Sequence, residues 1–173
     1  MSKQEVILSE KPEQSLTKAI QQIAFDKLFI LTDENTHRFC LPLIQEIECL
    51  KGTDPILIGA GDTHKTLETL ASVWKALGDR GASRHSLLIN LGGGMVTDLG
   101  GFAASTFKRG IPYINVPTTL LAMVDASVGG KTGINFNGLK NEVGVFAPAQ
   151  SVIIDTEFLK SLDRENLCSG YAE

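Results

Sequence analysis

A chain of 173 residues, 43% of them hydrophobic and 21% charged, carries enough apolar material for a packed core and has the balance of a globular α/β protein. A net charge of −4 argues against an extended nucleic-acid or anionic-membrane surface, and no stretch approaches the roughly eighteen apolar residues of a membrane span. The opening residues, MSKQEVILSEKPEQ, lack the order of a signal peptide, so the expected location is cytoplasmic, with no nucleic-acid and no membrane partner. Cys40, Cys49 and Cys168 are widely spaced without a CxxC and read as reduced packing residues; His37, His64 and His85 lack metal-ligand spacing and read as surface histidines.

In chain order, 5–8 predicts a strand, Lys11-Pro12 a turn, and Leu16, Ile20 and Ile23 the buried stripe of a helix. A second strand, KLFIL at 27–31, ends in Thr32-Asp33-Glu34-Asn35, where Asp33 or Thr32 can cap a helix with Phe39, Leu43 and Ile47 inward. PILI at 55–58 forms a third strand, broken by Gly59 to Asp62. The next helix sets Leu67, Leu70, Trp74 and Leu77 on one face and closes at Gly78 and Gly81. A fourth strand, Leu87 to Leu91, stops at Gly92-Gly93-Gly94, after which Met95, Val96, Asp98, Leu99, Phe102 and Ala103 follow helical spacing. Tyr113 to Val116 is a fifth strand, and Pro117-Thr118-Thr119 leads into a helix through Leu120, Leu121 and Val124. Asp125 to Pro148, with five glycines, reads as a long irregular loop of the kind that carries function. Ser151 to Ile154 is a last strand. Asp163 then caps a helix that meets Glu173 without a stop signal, as in a fragment cut mid-helix.

Strands alternating with helices predict an α/β fold: a mostly parallel, twisted sheet with helices on both faces, binding its ligand beyond the carboxyl ends of the strands. The polar turns at 33–35, 59–65, 92–98 and 118–119 should converge there. Glycines between a strand and a helix N-terminus let a phosphate approach unpaired N–H groups at the positive end of the helix dipole, so a diphosphate is the expected ligand. The run does not follow GxGxxG, and glycines of this kind also mark ordinary tight turns. Lys131 follows Gly129-Gly130, where an ammonium can meet an anion, and Lys140-Asn141 adds a second cation beside an amide; both lysines can equally be solvated loop charges. GGKT lacks the spacing of a P-loop.

The segments GDTHKTLETL, LGGGMVTDLGGFAASTFKRGIPYINVPTTLLAMVDASVGGKTGIN, KNEVGVFAP and SGYAE together resemble the N-terminal NAD-binding domain of 3-dehydroquinate synthases, over essentially the whole chain. The resemblance implies a Rossmann-like domain over 1–161 and the first turns of a helical metal-binding domain over 162–173. It also implies NAD as cofactor together with zinc or cobalt, and a homodimer. By the same resemblance Asp33 and Asn35 contact the adenosine ribose, although Asp33 can equally serve only as a helix cap. Gly61, Asp62 and Lys65 form a second NAD loop. Gly93, Gly94, Met95, Val96, Thr97 and Asp98 hold the diphosphate and nicotinamide end, with Asp98 placed in a first helical turn. Thr118 and Thr119 give a further contact, and Phe158, Leu159, Lys160 and Ser161 close around the cofactor. Asp125, Lys131, Lys140 and Asn141 reach substrate and nicotinamide, and Glu173 is the carboxylate ligand of the metal. Arg109 reaches the phosphate of the neighbouring subunit's substrate.

The implied reaction is cyclisation of a seven-carbon sugar-acid phosphate, 3-deoxy-D-arabino-heptulosonate 7-phosphate, to 3-dehydroquinate with loss of phosphate, a carbon–oxygen lyase step of the shikimate pathway to aromatic amino acids. The family's two histidine metal ligands lie in a C-terminal domain beyond this sequence, so the fragment is expected to be inactive alone. A related sugar-phosphate cyclase, a polyol dehydrogenase domain and a non-catalytic nucleotide-binding module are the alternatives. Two departures stand out. Asp62 replaces the usual Glu, and Leu139 replaces a Gly, where a left-handed backbone would cost roughly 1 kcal/mol or more.

Overall fold

The computed structural model describes residues 4–172. At its centre is β4 (Leu87–Gly92), buried at all six positions because both faces of the strand are covered. Around it lie β1 (Glu5–Leu8), β2 (Leu28–Asp33), β3 (Ile56–Ile58), β5 (Tyr113–Pro117) and, after β6 (Lys131–Phe136) and β7 (Leu139–Phe146), β8 (Ser151–Ile154). The order is β1-β8-β5-β4-β2-β3, and every neighbouring pair is parallel. The helices are α1 (Pro12–Gln21), α2 (Glu34–Phe39), α3 (Leu67–Asp79), α4 (Gly94–Thr106) and α5 (Arg164–Tyr171). The expected α/β architecture is present.

Side chains alternate across the sheet. Leu31, Ile56 and Leu88 pack against Leu70, Val73 and Leu77 of α3 and Val96, Leu99 and Ala103 of α4. On the other face Ile30, Leu87, Ile89 and Leu91 meet Leu16, Ala19 and Ile20 of α1 and the segment carrying Ile44, Ile47 and Leu50. Burying each such side chain contributes about 1.5–3 kcal/mol, which is what holds the two helical layers to the strands.

Five local expectations need correction. The helix expected through Ile47 ends at Phe39, leaving Phe39 and Leu43 each 48% exposed. Pro42 is the reason: it has no N–H for the next helical bond, and its ring would collide with the carbonyl four residues back. The chain continues as a 3-10 turn at Leu41–Leu43 and buries Cys40, Leu41, Ile44, Ile47 and Leu50 instead. In α3, Leu67 is exposed and Val73 takes the buried place beside Leu70 and Leu77. Gly78 lies inside the helix, and the stop comes at Gly81, with φ +73°. The helix after β5 is a short π-helical turn at Ala122–Ala126 that buries Ala122 and Met123 and exposes Val124. His37 is half-buried, and Cys168 is exposed rather than packed.

The fifth correction is the largest. The supposed loop is an antiparallel hairpin, β6 (Lys131–Phe136) and β7 (Leu139–Phe146), lying outside the main sheet. Its two-residue turn is Asn137-Gly138, with φ of +53° and +79°, the backbone sign that tight hairpins require and that Asn and Gly supply most readily. Thr132 and Ile134 turn inward: Ile134 joins the α4 side of the core, and a Cβ on Gly101 of α4 would lie 2.6 Å from the Thr132 methyl.

The last helix is docked just as closely. Asp163 caps α5 by accepting from the Asn166 N–H at 2.8 Å, and a Cβ on Gly170 would stand 2.5 Å from the Leu121 backbone nitrogen. Gly170→Ala is therefore expected to release α5 while the sheet stays folded. Proteolysis should cleave the variant within 164–171 several times faster than the parent, with an unchanged circular dichroism melt; equal cleavage rates would contradict the close packing.

Candidate functional site

The chain runs from β2 out to β3 and then crosses back to β4 on the other side of β2. The connections therefore diverge at the carboxyl ends of β2 and β4, which opens a crevice there. Asp33 stands at one lip. At the other, β4 ends at Gly92 and Gly93 precedes the first turn of α4, where no side chain caps the helix. The first N–H groups of α4 thus face the crevice with the positive end of the helix dipole. Close approach explains the glycines: a Cβ on Gly92 would lie 2.5 Å from Val96, one on Gly93 3.0 Å from the Thr119 methyl, and one on Gly94 3.2 Å from Ala126. The Thr118 N–H donates to the Gly92 carbonyl at 3.0 Å and ties the β5 turn to the cradle.

Within this run the side chains differ in what they offer. Val96 and Thr97 are buried, and the Thr97 hydroxyl donates to the Gly94 carbonyl at 3.1 Å, so they present backbone rather than side chain. Asp98 lies in the second turn of α4, not in the first as expected, since the helix begins at Gly94. Its carboxylate pairs with Lys65, which is 4% exposed and also donates to the Asn141 side-chain oxygen. Burial pushes the Asp98 carboxyl above the usual carboxylate range, and the Lys65 charge opposes that rise without cancelling it. Behind the pair, burial and the Asp98 charge raise the Tyr113 phenol, whose O–H donates to the Ala147 carbonyl.

Asp33 forms a full capping box on α2: its carboxylate accepts from the Thr36 N–H at 2.8 Å, and the Thr36 hydroxyl accepts from the Asp33 N–H at 3.1 Å. Asn35 is exposed beside it. Phe158 is fully buried in the core, Leu159 packs at its edge, Lys160 pairs with Glu157 at 2.7 Å, and the Ser161 hydroxyl donates to the Phe158 carbonyl at 3.0 Å.

Asp98, Asp125, Lys131 and Asn141 come together around one cavity of about 370 Å³, with the Lys131 ammonium 3.3 Å from Asp125. Lys140 and Asp62, 3.1 Å apart, line a second, more open hollow of about 760 Å³ at the turn end of the hairpin. Burial works against the Asp62 carboxylate, but hydrogen bonds from Lys140 and Asn135 and the charges of Lys140 and Lys65 bring it below the usual range. Leu139 opens β7 without strain. The left-handed positions are Asn137, Gly138 and Asn141, so the cost expected at residue 139 falls on Asn141, a residue type that tolerates it.

Arg109 is distant from both cavities. The 13-residue helix α4 runs about 20 Å back to the amino edge of the sheet, and Arg109 follows it in an exposed turn where Lys108, Arg109 and Gly110 have φ of +49°, +71° and +111°. Two left-handed non-glycine residues in succession are a costly arrangement of the kind found at functional sites. Glu173 lies outside the described residues, and among those described no group of three or more His, Cys, Asp or Glu side chains could hold a metal ion.

One residue escaped sequence reasoning. Asn135 bonds both Asp62 and Asn141, and the Asn137-Gly138 turn was the signal that placed it on a strand. Cys40, expected as a packing residue, is buried 3.8 Å from the Ser161 hydroxyl, and burial pushes its thiol up.

The family model for the 3-dehydroquinate synthase N-terminal domain matches residues 55–169. The chain belongs to this family. The 3-dehydroquinate synthase of Parabacteroides distasonis is 55% identical over all 173 residues, which are 49% of that relative, so the chain spans about half the length of the curated relatives it matches. Among solved structures, 2-epi-5-epi-valiolone synthase from Streptomyces hygroscopicus, with NAD+ and Zn2+ bound, superposes with a TM-score of 0.87 at 30% identity over 99% of this chain and 48% of that one. A 2-deoxy-scyllo-inosose synthase complexed with carbaglucose-6-phosphate, NAD+ and Co2+ gives 0.86 at 26% identity over 96% of this chain and 46% of that one. The 3-dehydroquinate synthase family and these cyclases thus share the fold of this chain. No helix among the described residues is long and apolar enough to cross a membrane.

Proposed function

We propose that this chain is the NAD-binding part of a 3-dehydroquinate synthase, a cytoplasmic phosphate-eliminating lyase of aromatic amino acid biosynthesis acting on 3-deoxy-D-arabino-heptulosonate 7-phosphate. The observation that carries the reading is the uncapped start of α4 at the crevice between β2 and β4, beside a cavity that gathers Asp98, Asp125, Lys131 and Asn141. The cradle fits a dinucleotide, because no side chain caps the start of α4 and its glycines offer bare backbone N–H groups to a diphosphate. Bound there, NAD would supply a hydride acceptor that returns the hydride later in the same turnover.

In this reading the N–H groups of Gly94 and Met95 hold the diphosphate, and the Thr118-Thr119 turn closes on it. Asp33 and Asn35 meet the ribose. Lys65 fixes Asp98 at the nicotinamide end, and Gly61 and Asp62 complete that loop. Asp125 orients the Lys131 ammonium towards a substrate anion, while Asn141 and Lys140 contact its oxygens. Phe158 to Ser161 form the wall behind the cofactor. Arg109, at the amino edge of the sheet, cannot reach its own cavity and would serve the site of a second copy, which supports a homodimer. The described residues do not fit a catalytic metal, so no step is assigned to one; the division at 161/162 leaves that chemistry to a C-terminal domain.

The 55% identity to the Parabacteroides enzyme, against 30% and 26% to the other cyclases, favours dehydroquinate over their products. Calorimetric titration of this chain with NAD should show binding, and Gly94→Val should weaken it about 100-fold, roughly 2.7 kcal/mol, with an unchanged circular dichroism spectrum. Equal affinity of parent and variant would refute the cradle.

A further inference from the structure

We infer that Asn135 is a positioning residue that holds Asn141 and Lys140 in their places on β7, and this rests on the reading that β7 faces the substrate. The hairpin register carries the argument. Ile134 pairs with Val143 and Phe136 with Leu139, so the single residue Asn135 on β6 stands opposite Lys140, Asn141 and Glu142 on β7. A bulge of this kind re-aims side chains and leaves backbone groups without their ladder partners. Asn135 replaces those partners with its own side chain. Its Oδ1 accepts from the Asn141 N–H at 2.9 Å, and its Nδ2 donates to the Asp62 carboxylate at 3.2 Å and to the Asp62 carbonyl at 3.3 Å. Its backbone N–H donates to the Lys65 carbonyl at 2.8 Å.

The side-chain amide therefore joins the bulge to the loop carrying Asp62, and the backbone N–H of the same residue ties both to the Lys65 carbonyl. Asn141 is held at φ +54°, with its side-chain oxygen accepting from Lys65. Lys140 is held by the same Asp62 that Asn135 anchors. The arrangement requires a neutral side chain that accepts on one atom and donates on another. An aspartate would accept from Asn141 yet face the Asp62 carboxylate with a like charge, and an aliphatic residue would leave both ends unmet. Asn135 and Lys140 line the larger hollow, and Asn141, whose N–H donates to Asn135, lines the smaller.

The test uses a full-length enzyme carrying this chain, with 3-deoxy-D-arabino-heptulosonate 7-phosphate as substrate. Turnover by the parent is the first measurement, and its absence would reject the proposed activity rather than the role of Asn135. With an active parent, Asn135→Ala should lower kcat/KM for the sugar phosphate about 100-fold, the effect of misplacing contacting groups, while the Kd for NAD changes less than about threefold. Amide exchange at Asn141, read by NMR on this chain, should accelerate at least about tenfold in Asn135→Ala and remain protected in Asn135→Asp, which keeps the acceptor. Asn135→Asp should nonetheless lose most of the activity, because it lacks the donor to Asp62. If Asn135→Ala fails to fold, Asn135→Ser provides the same comparison with a smaller cavity. Parental kcat/KM in the variants, or a loss confined to NAD affinity and thermal stability, overturns the inference.

Discussion

Lys65→Met is expected to lower the free energy of unfolding by about 3 kcal/mol at pH 7, the order found when one partner of a buried ion pair is removed. The Lys65 side chain is 5% exposed and that of Asp98 18%, so the substitution leaves a carboxylate that water reaches poorly. The pH dependence has a definite sign. Burial already holds the Asp98 carboxyl above its unfolded value, and removing the opposing Lys65 charge raises it further. A group with a raised folded pKa contributes stability that is fully present below its unfolded pKa and is lost as the pH rises through the folded one. The deficit of Lys65→Met should therefore be largest at neutral pH and shrink on acidification towards about pH 3, below the unfolded pKa, where the carboxyl is mostly neutral in both states. Urea unfolding at the two pH values measures it, and a deficit that is the same at both would contradict the buried-pair account. Adding Asp98→Leu to Lys65→Met should recover part of the loss, since it removes the stranded charge.

Gly144→Ala should cost about 2–3 kcal/mol, the overpacking range, although the change adds one methyl group to an exposed strand. Gly133 and Gly144 face each other across β6 and β7, and a Cβ on Gly144 would fall on the Thr132 carbonyl oxygen with the Gly133 Cα at 2.9 Å. These neighbours are backbone, so no rotamer change makes room. Gly138→Ala is the internal comparison: nothing lies within 4 Å of its Cβ, and only its φ of +79° opposes the change, at about 1–2 kcal/mol. Equal unfolding free energies for the two variants would show that the strands separate freely at Gly133 and Gly144. Because the hairpin carries Lys131, Lys140 and Asn141, Gly144→Ala should also lower activity in the full-length enzyme more than Gly138→Ala does.

The strands and helices around Gly92 to Gly94 were legible because burial imposes a pattern there: a nearly continuous apolar run in β4, which is covered twice and interrupted only by Asn90 before Gly92, and apolar residues about every third or fourth position in α3. The helix drawn through Ile47 failed at Pro42, whose missing N–H overrode an apolar spacing that still served to bury Ile44, Ile47 and Leu50. The hairpin at 131–146 reads as an irregular loop in the sequence because glycines interrupt the strand period, whereas Gly133 and Gly144 are what lets the two backbones pack so closely.

By itself, then, the sequence determined the α/β class, the glycine cradle at the head of α4 and, through long ordered motifs, the family. These rest on local regularities and on text that can be matched without coordinates. The tertiary structure alone decided which charges meet. Lys65 carries no local mark of burial, yet its partners are 33 and 76 residues away, on α4 and on β7. Asn135 and Asn141 are close in the chain, but only the bulge sets the amide of one against the N–H of the other. Such pairings follow from how the hairpin lies across α4, and side-chain packing, which no short stretch of residues encodes, fixes that position.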